Sequence, residues 1–153
     1  MTTIKKPEIC TCYLSEIERL PFPRFRMICH CQTCQDFLKS GFNDECVYLL
    51  KDCDELDLTN VAFKSYQAGF SPVKRGTCKR CHKPSFCRIK VGFLPEFLTV
   101  PSALVSIHKL PDASAHVYYH GRVTDAKDEC KKVSGHYLSQ LFIAYSGIKA
   151  LLK

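Results

Sequence analysis

Seven of the eleven cysteines in this 153-residue chain fall into three short clusters, and their spacing is the strongest constraint on the fold. Closely spaced thiols in a reducing compartment are typical of metal ligands or redox groups. A domain of this length buries enough apolar surface to fold without crosslinks, so disulfides are not needed for stability. The clusters are Cys10 and Cys12; Cys29, Cys31 and Cys34; and Cys78 and Cys81.

Composition predicts an ordinary globular protein. Hydrophobic residues make up 46% of the chain and charged residues 24%, which is close to the globular average. The length favours a single domain over residues 1–153. Residues 1–8 contain no apolar segment of a secretion signal, and no apolar run approaches the roughly 18–20 residues of a membrane span. We therefore expect a cytoplasmic location.

Short segments bounded by Gly, Pro, Asp or Ser predict a mainly β fold of antiparallel strands. Residues 9–17 and 24–31 are interpreted as a hairpin around a Pro-Phe-Pro turn at 21–23, which would place Cys10 and Cys12 on one face of a strand. Further strands are predicted at residues 47–50, 62–66, 86–92, 104–110 and 116–119.

Two helices are predicted. Residues 32–40 form a short one, with Phe37 and Leu38 pointing inward and Gly41 at its left-handed C-terminal position. From residue 134 onward apolar residues recur at helical spacing, which predicts a C-terminal helix over about 134–152. We expect its apolar stripe to dock on the core, with a homodimer contact as the alternative. The stripe comprises Leu138, Leu141, Phe142, Tyr145, Ile148 and Leu152.

The outer two clusters supply four thiols, the number that a closed zinc site needs. Zinc takes about four ligands in a tetrahedron, and thiolates suit it well. Such a site would join the start of the chain to its middle and would be structural, because metal binding then closes a long loop. Its ligands would be Cys10, Cys12, Cys78 and Cys81. His82 and Cys87 follow closely and are alternative ligands.

The middle cluster offers three thiols within six residues: Cys29, Cys31 and Cys34. Three protein ligands and one open position are the arrangement of a catalytic zinc, and a helix N-terminus would favour the Cys34 thiolate. Either Cys46 or His30 is a candidate fourth ligand, which would make this site structural too. A thioredoxin-like redox pair is disfavoured because the expected βαβ pattern is missing.

The order of the three clusters, with Cys29-His-Cys-Gln-Thr-Cys34 at its centre and Gly41-Phe42 after it, resembles the glutathione-dependent formaldehyde-activating enzyme and centromere protein V family. The resemblance covers about residues 9–120 and leaves the C-terminal helix outside. It implies a β-tent-like fold of antiparallel sheets pinned by zinc, with one structural and one catalytic ion. It also implies carbon–sulfur chemistry on glutathione and formaldehyde. His82 stands where the family usually has glycine, and histidine adopts positive φ more readily than most residues.

Two functions from different classes follow. The first is a zinc-dependent carbon–sulfur lyase or synthase acting on a small thiol adduct such as S-hydroxymethylglutathione, in which Cys29, Cys31 and Cys34 are catalytic. The second is a zinc-stabilised binding module for nucleic acid or an acidic protein. The second would use the basic residues between positions 74 and 90, which are Lys74, Arg75, Lys79, Arg80, Lys83, Arg88 and Lys90.

Charge and motifs favour the enzyme. Two zinc ions on seven thiolates would lower the formal charge from +7 to about +4, and no nucleic-acid-binding motif is present, so we expect no nucleic-acid partner. We expect a small thiol substrate and no membrane partner. His116 and His120 are expected to share a strand face, with His116 an ordinary half-buried histidine rather than a catalytic one. Cys53 and Cys130 are expected to have no specific role.

Overall fold

A computed structural model describes residues 5–66, 68–69 and 71–153, and these form one seven-stranded sheet with three α-helices. The strand order is β3-β4-β5-β6-β2-β1-β7, and every neighbouring pair is antiparallel except β1 with β7. The strands are β1 (Phe25–Cys29), β2 (Asn43–Leu49), β3 (Val61–Lys64), β4 (Val73–Cys78), β5 (Pro84–Ile89), β6 (Phe97–Pro101) and β7 (Ala113–Val117). The helices are α1 (Leu14–Arg19), α2 (Gln32–Leu38) and α3 (His136–Leu151). The predicted mainly β fold, with a helix after the middle cluster and a C-terminal helix, is confirmed.

The sheet carries apolar side chains on both faces because its central strands alternate between two cores. On β2, Tyr48 packs in one cluster of buried residues and its neighbour Val47 in the other. On β6, Leu98 and Phe97 divide in the same way. Successive strand residues point to opposite faces, so the two clusters lie on opposite sides of the sheet. In the described part of the chain, no helix is long and apolar enough to cross a membrane.

The predicted N-terminal hairpin is wrong, although its second arm, residues 24–31, does contain the strand β1. Residues 9–13 form a loop, which continues into α1, and β1 pairs with β2 and β7 instead. Tyr13, Ile17 and Leu20 are all buried, and their spacing of four and three residues puts them on one face of a helix. Cys10 and Cys12 therefore lie on a loop, where a backbone hydrogen bond from Cys10 to Pro84 (2.8 Å) fixes them beside β5.

The other strand predictions succeed in part. Strands overlap the predicted segments at β2, β3, β5 and β7. Residues 104–110 are not a strand: they follow the short 3-10 helix Ser102–Leu104 in turns closed by the amides of Val105 and Lys109. The strands β4 and β6 were not expected, because β4 contains two cations and a glycine and β6 ends at Pro101.

Helix α2 begins as predicted and ends one residue before its left-handed position. That residue is Lys39, with φ +51°, rather than Gly41. Leu38 is buried as expected, and Phe37 is half-buried against the ring of Tyr66.

Helix α3 docks on the sheet with the face opposite to the one predicted. Small residues make the closest approach: Ser139, Gly147 and Ala150 are buried, and a Cβ on Gly147 would lie 3.5 Å from the Phe97 ring. Small side chains allow a helix to approach a sheet closely, so these residues are inside and the large ones outside. Of the predicted stripe only Phe142 is partly buried, and the exposed members are Leu138, Leu141, Tyr145, Ile148 and Leu152.

Candidate metal centres

The first candidate centre is formed by the four thiols of the outer clusters. The sulfurs of Cys10, Cys12, Cys78 and Cys81 all lie within 4.8 Å of one another. Cys10 and Cys12 come from the loop before α1, Cys78 ends β4, and Cys81 lies in the turn before β5. The structure therefore brings together residues separated by about 65 positions in the chain.

Backbone hydrogen bonds favour thiolates at this centre, whereas burial opposes them unless a cation is bound. The amide of Cys12 donates to Cys10 Sγ and the amide of Arg80 donates to Cys78 Sγ, each at 3.4 Å. Burial by itself raises the pKa of Cys78, but amide hydrogen bonds from Cys81 and Arg80 lower it to about 7. Burial raises the pKa of Cys10. Four thiolates this close repel one another unless a cation lies between them, and a four-sulfur set is the donor chemistry of structural zinc.

The turn that carries Cys78 and Cys81 has the backbone that the sequence predicts. His82 adopts φ +60°, and its amide donates to the Cys78 carbonyl at 2.9 Å. The amide of Cys78 in turn donates to the Lys83 carbonyl at 3.0 Å, which closes the turn between β4 and β5. A histidine thus occupies the left-handed position where glycine is the commoner residue.

The second candidate centre lies on the opposite face of the sheet. Cys29 ends β1, Cys31 caps α2, and Cys34 lies in the first turn of α2. The three sulfurs are within 4.8 Å of one another, with Cys34 and Cys29 only 3.7 Å apart. The amide of Cys34 donates to Cys31 Sγ at 3.4 Å. Hydrogen bonds from Cys29 and Cys34 lower the pKa of Cys31, and the same amide and Arg75 lower it further.

Arg75 is the main residue of this centre that the sequence did not identify. Its guanidinium Nη2 donates to Cys34 Sγ at 3.4 Å and lies 3.9 Å from Cys31 Sγ, and the side chain is buried. A buried cation is stable only beside an anion, and Cys31, whose pKa Arg75 helps to lower, is the thiol that favours the thiolate form. Contacts with the other two thiols raise the pKa of Cys29, and although Cys29 lowers the pKa of Cys34, Cys31 and burial raise it overall. Sequence reasoning had placed Arg75 in a surface basic cluster.

The buried carboxyl group of Glu45 lies near Cys34. Glu45 Oε2 accepts a hydrogen bond from Asn43 Nδ2 at 2.7 Å. Burial, together with the nearby Cys34 thiol, raises the pKa of Glu45 to about 8. Glu45 is therefore protonated at neutral pH, and it adds no negative charge to the pocket.

Tyr118 is a second residue of the centre that the sequence did not identify. Tyr118 packs against the buried cluster that contains Cys29 and Cys34, as Cys31 does. Burial and the neighbouring Cys29 and Cys31 raise the pKa of Tyr118 to about 12, so its hydroxyl keeps its proton. The backbone of Tyr118 is held at φ +52°, and its amide donates to Ser139 Oγ of α3 at 2.7 Å. Non-glycine residues with this backbone conformation are strained and are concentrated at functional sites.

His116 is buried in a chain of three side chains. Its Nε2 lies 2.9 Å from Asp128 Oδ2, and its Nδ1 lies 2.8 Å from His30 Nε2. Asp128 Oδ2 accepts a hydrogen bond from His116 Nε2, and His30 Nε2 is the donor to His116 Nδ1 when that nitrogen carries no proton. Burial, followed by repulsion from His116, lowers the pKa of His30 to about 4, which keeps His30 neutral.

His116 and His120 do not share a strand face, contrary to the prediction. The strand β7 ends at Val117, and His120 lies in a 3-10 helix (Tyr119–Gly121), where it is exposed and accepts the Gly135 amide at 2.8 Å. The atoms of His116, Asp128 and Cys130 also lie within 4.8 Å of one another. Lys132 Nζ donates to Asp128 Oδ1 at 3.0 Å, so the ammonium group of Lys132 already neutralises the carboxylate of this group.

The two candidate fourth ligands of the three-thiol centre, Cys46 and His30, are held by other contacts. Cys46 Sγ is 3.5 Å from Ser102 Oγ and belongs to the apolar cluster on the other face of the sheet, and His30 is bonded to His116. Cys53 donates to the Leu49 carbonyl. Within residues 5–66, 68–69 and 71–153, neither thiol group gains a further His, Cys, Asp or Glu ligand.

The fold and the two thiol centres define a cysteine-rich, mainly β protein whose cysteine groups can hold metal ions. The chain matches the family model of the glutathione-dependent formaldehyde-activating enzyme over residues 7–121, which is about three quarters of its length, and it belongs to this family. The matched region contains all seven clustered cysteines and ends before α3. No curated protein matches the chain significantly.

Proposed function

We propose that this protein is a zinc-dependent carbon–sulfur lyase or synthase acting on a small thiol adduct such as S-hydroxymethylglutathione. Cys10, Cys12, Cys78 and Cys81 hold a structural zinc ion, and Cys29, Cys31 and Cys34 hold a second ion with one open position. The observation that carries the proposal is the buried three-thiol group with the Arg75 guanidinium on Cys34. Membership of the glutathione-dependent formaldehyde-activating family supports the substrate class.

The reaction joins a thiol to a carbonyl carbon. In the synthetic direction the S–C bond forms, the carbonyl π bond breaks, and the thiol proton is replaced by a proton on the new hydroxyl oxygen; the lyase direction reverses each change. When bound, zinc supplies an electrophilic position that accepts the substrate sulfur as a thiolate.

The residues of the chain would then organise the charges around that sulfur. Arg75 offsets one of the negative charges that the three thiolates would carry and fixes Cys34 by its hydrogen bond. Tyr118 keeps its hydroxyl proton and is the candidate donor to the substrate oxygen as that oxygen gains charge. Protonated Glu45 avoids further anionic charge beside Cys34.

The test compares two buried cysteines. Cys34→Ser should lower turnover of glutathione with formaldehyde by at least about 100-fold, since one ligand of the open centre is lost. Cys46→Ser is the matched control, because Cys46 is equally buried but lies on the other face of the sheet, and its turnover should stay within about twofold of wild type. Zinc content, measured on both variants, should fall by one ion only in Cys34→Ser. Unchanged turnover in a folded Cys34→Ser variant that retains both ions would refute the catalytic assignment.

X-ray absorption at the zinc edge separates this function from the alternative. One ion with four sulfurs and one with three sulfurs and a lighter atom supports the enzyme. Two four-sulfur ions would favour the binding module, whose charged surface would consist of exposed cations of the β4–β5 hairpin: Lys79, Arg80 and Lys83 in its turn, and Lys74 and Lys90 at its opposite end. Arg75 and Arg88 are not free for that role, since Arg75 is buried at the thiols and Arg88 pairs with Glu96 at 2.7 Å.

A further inference from the structure

The outward face of α3, together with its C-cap residue Leu152, carries large apolar side chains at a regular spacing. Intervals of three, four, three and four residues separate them, which is the a/d pattern of a coiled-coil seam. They are 49–83% exposed, and Tyr137 beside them is 79% exposed. The seam residues are Leu138, Leu141, Tyr145, Ile148 and Leu152.

The opposite face of α3 is already buried, so the helix is apolar on both sides. Ser139, Gly147 and Ala150 face the sheet, and Phe142 and Ile143 complete that contact. Lys149 is the only Lys, Arg, Asp or Glu in α3. A helix that is hydrophobic all round is normally buried, and a docked amphipathic helix would instead show charged residues outward. The seam therefore requires a covering surface.

The seam is large enough to form a stable interface. Large side chains expose up to about 150–250 Å² each, so the seam and Tyr137 together present on the order of 800 Å². This is about the area that one partner contributes to a standard protein–protein interface, roughly 800 Å².

The features of the seam point to a second copy of the same chain. An a/d seam is complementary to another a/d seam, and a two-fold dimer supplies an identical one. The face has no acidic or basic pattern that would select a partner of opposite charge. It also lacks the rows of Lys and Arg with which a helix binds a lipid surface.

We propose that two copies of this protein associate through α3, with the seams of the two helices packed against each other. Tyr145 is the midpoint of the seam, between Leu138 and Leu152. The two Tyr145 side chains therefore meet whether the helices run parallel or antiparallel. Since α3 lies beyond residues 7–121, this association is a feature of the chain outside the family match.

The test introduces charged residues at Tyr145 and measures dimerisation of the zinc-loaded, full-length protein by sedimentation equilibrium. Wild type should dimerise with a dissociation constant in the micromolar range or below. Tyr145→Glu should weaken association by at least about 30-fold, because it buries two like charges. An equimolar mixture of Tyr145→Glu and Tyr145→Lys should form a heterodimer, which shows that both variants remain folded. Ile107→Glu, at an exposed apolar residue outside α3, is the matched control and should dimerise like wild type.

Two results would overturn the proposal. One is a wild-type protein that stays monomeric at concentrations well above the micromolar range, including a monomer that sediments with phosphatidylcholine vesicles, since the seam would then face lipid. The other is a Tyr145→Glu variant that dimerises as tightly as wild type.

Discussion

Arg75 and Glu45 are both buried near Cys34, but only Arg75 is ionised. The Arg75 guanidinium is ionised and lies on the sulfurs of Cys34 and Cys31. Among the described residues, none forms a salt bridge with Glu45, which holds a proton instead. A buried ionised group is tolerated only when it is paired, so the Arg75 cation is balanced by the Cys31 thiol, whose pKa is lowered, while the carboxyl of Glu45 stays neutral.

Replacing Glu45 by glutamine should make the protein more stable at alkaline pH. The folded protein holds the Glu45 proton up to about pH 8, whereas an unperturbed glutamate releases it near pH 4.5. Between these values the native state binds more protons than the unfolded state, so stability falls as pH rises. Glutamine does not titrate, so the variant does not lose stability in this way, and its amide oxygen can still accept the hydrogen bond from Asn43. We therefore expect Glu45→Gln to be about 1–3 kcal/mol more stable than wild type at pH 9.

The measurement is denaturant unfolding of wild type and variant, both zinc-loaded, from pH 4.5 to pH 9. The difference in unfolding free energy should be smallest at the acid end of the series and grow with pH. Glu45→Leu is the comparison: it also removes the titration but leaves the Asn43 amide unpaired, so it should be less stable than Glu45→Gln at every pH. A difference between wild type and Glu45→Gln that does not change with pH would contradict the assignment.

At the scale of elements, two glycines show how closely helix and strand backbones approach their neighbours. A Cβ on Gly76 in β4 would lie 2.6 Å from Val61 Cγ1 and 2.7 Å from the Phe86 carbonyl oxygen. A Cβ on Gly147 in α3 would meet the Phe97 ring at 3.5 Å, which is ordinary contact. Gly76 is therefore required by the packing of the sheet, whereas Gly147 only costs helix propensity.

Alanine at these two positions should have opposite effects on stability. Gly147→Ala should stabilise the protein by about 0.5–1 kcal/mol, because glycine in a helix loses more backbone entropy than alanine. Gly76→Ala should destabilise it by about 1–3 kcal/mol through overpacking against a backbone carbonyl. Thermal unfolding of the two variants beside wild type measures both. Destabilisation by Gly147→Ala would mean that α3 packs more tightly on Phe97 than the structure shows.

At the scale of the whole molecule, metal ions bound at the two thiol centres would constrain chain segments of very different length. The four-thiol centre joins Cys12 to Cys78, about 65 residues later, whereas the three-thiol centre spans the six residues from Cys29 to Cys34. The entropy removed from the unfolded chain by a crosslink grows with the loop that it closes. The four-thiol centre should therefore contribute more to global stability.

Losing the two centres should have unequal consequences. By analogy with disulfide loops, the four-thiol constraint contributes about 4 kcal/mol and the three-thiol constraint about 2 kcal/mol. Cys81→Ser should thus lower the free energy of unfolding by about 2 kcal/mol more than Cys34→Ser. Urea unfolding with and without a zinc chelator checks this, and chelation should bring both variants close to chelated wild type. Equal destabilisation by the two substitutions would argue against a long-range crosslink at the four-thiol centre.

Sequence patterns predicted well where a local signal was sufficient. The spacing of the cysteines identified both thiol groups, and His82 takes the predicted positive φ. The start of α2 and the existence of α3 followed from local apolar periodicity. The segment around Cys10 and Cys12 was assigned incorrectly because Tyr13, Ile17 and Leu20 fit a helix, while the flanking proline turn suggested a hairpin.

The sequence by itself determined the donor chemistry, the mainly β class and the family, because each depends on residue identity and short spacing. Only the tertiary structure decided that the two centres lie on opposite faces of one sheet, and that Arg75 and Tyr118 belong to the three-thiol centre. It also decided that α3 turns its small residues inward and its seam outward. These outcomes depend on contacts between residues far apart in the chain, where close packing selects the face that fits, and no local pattern contains that information.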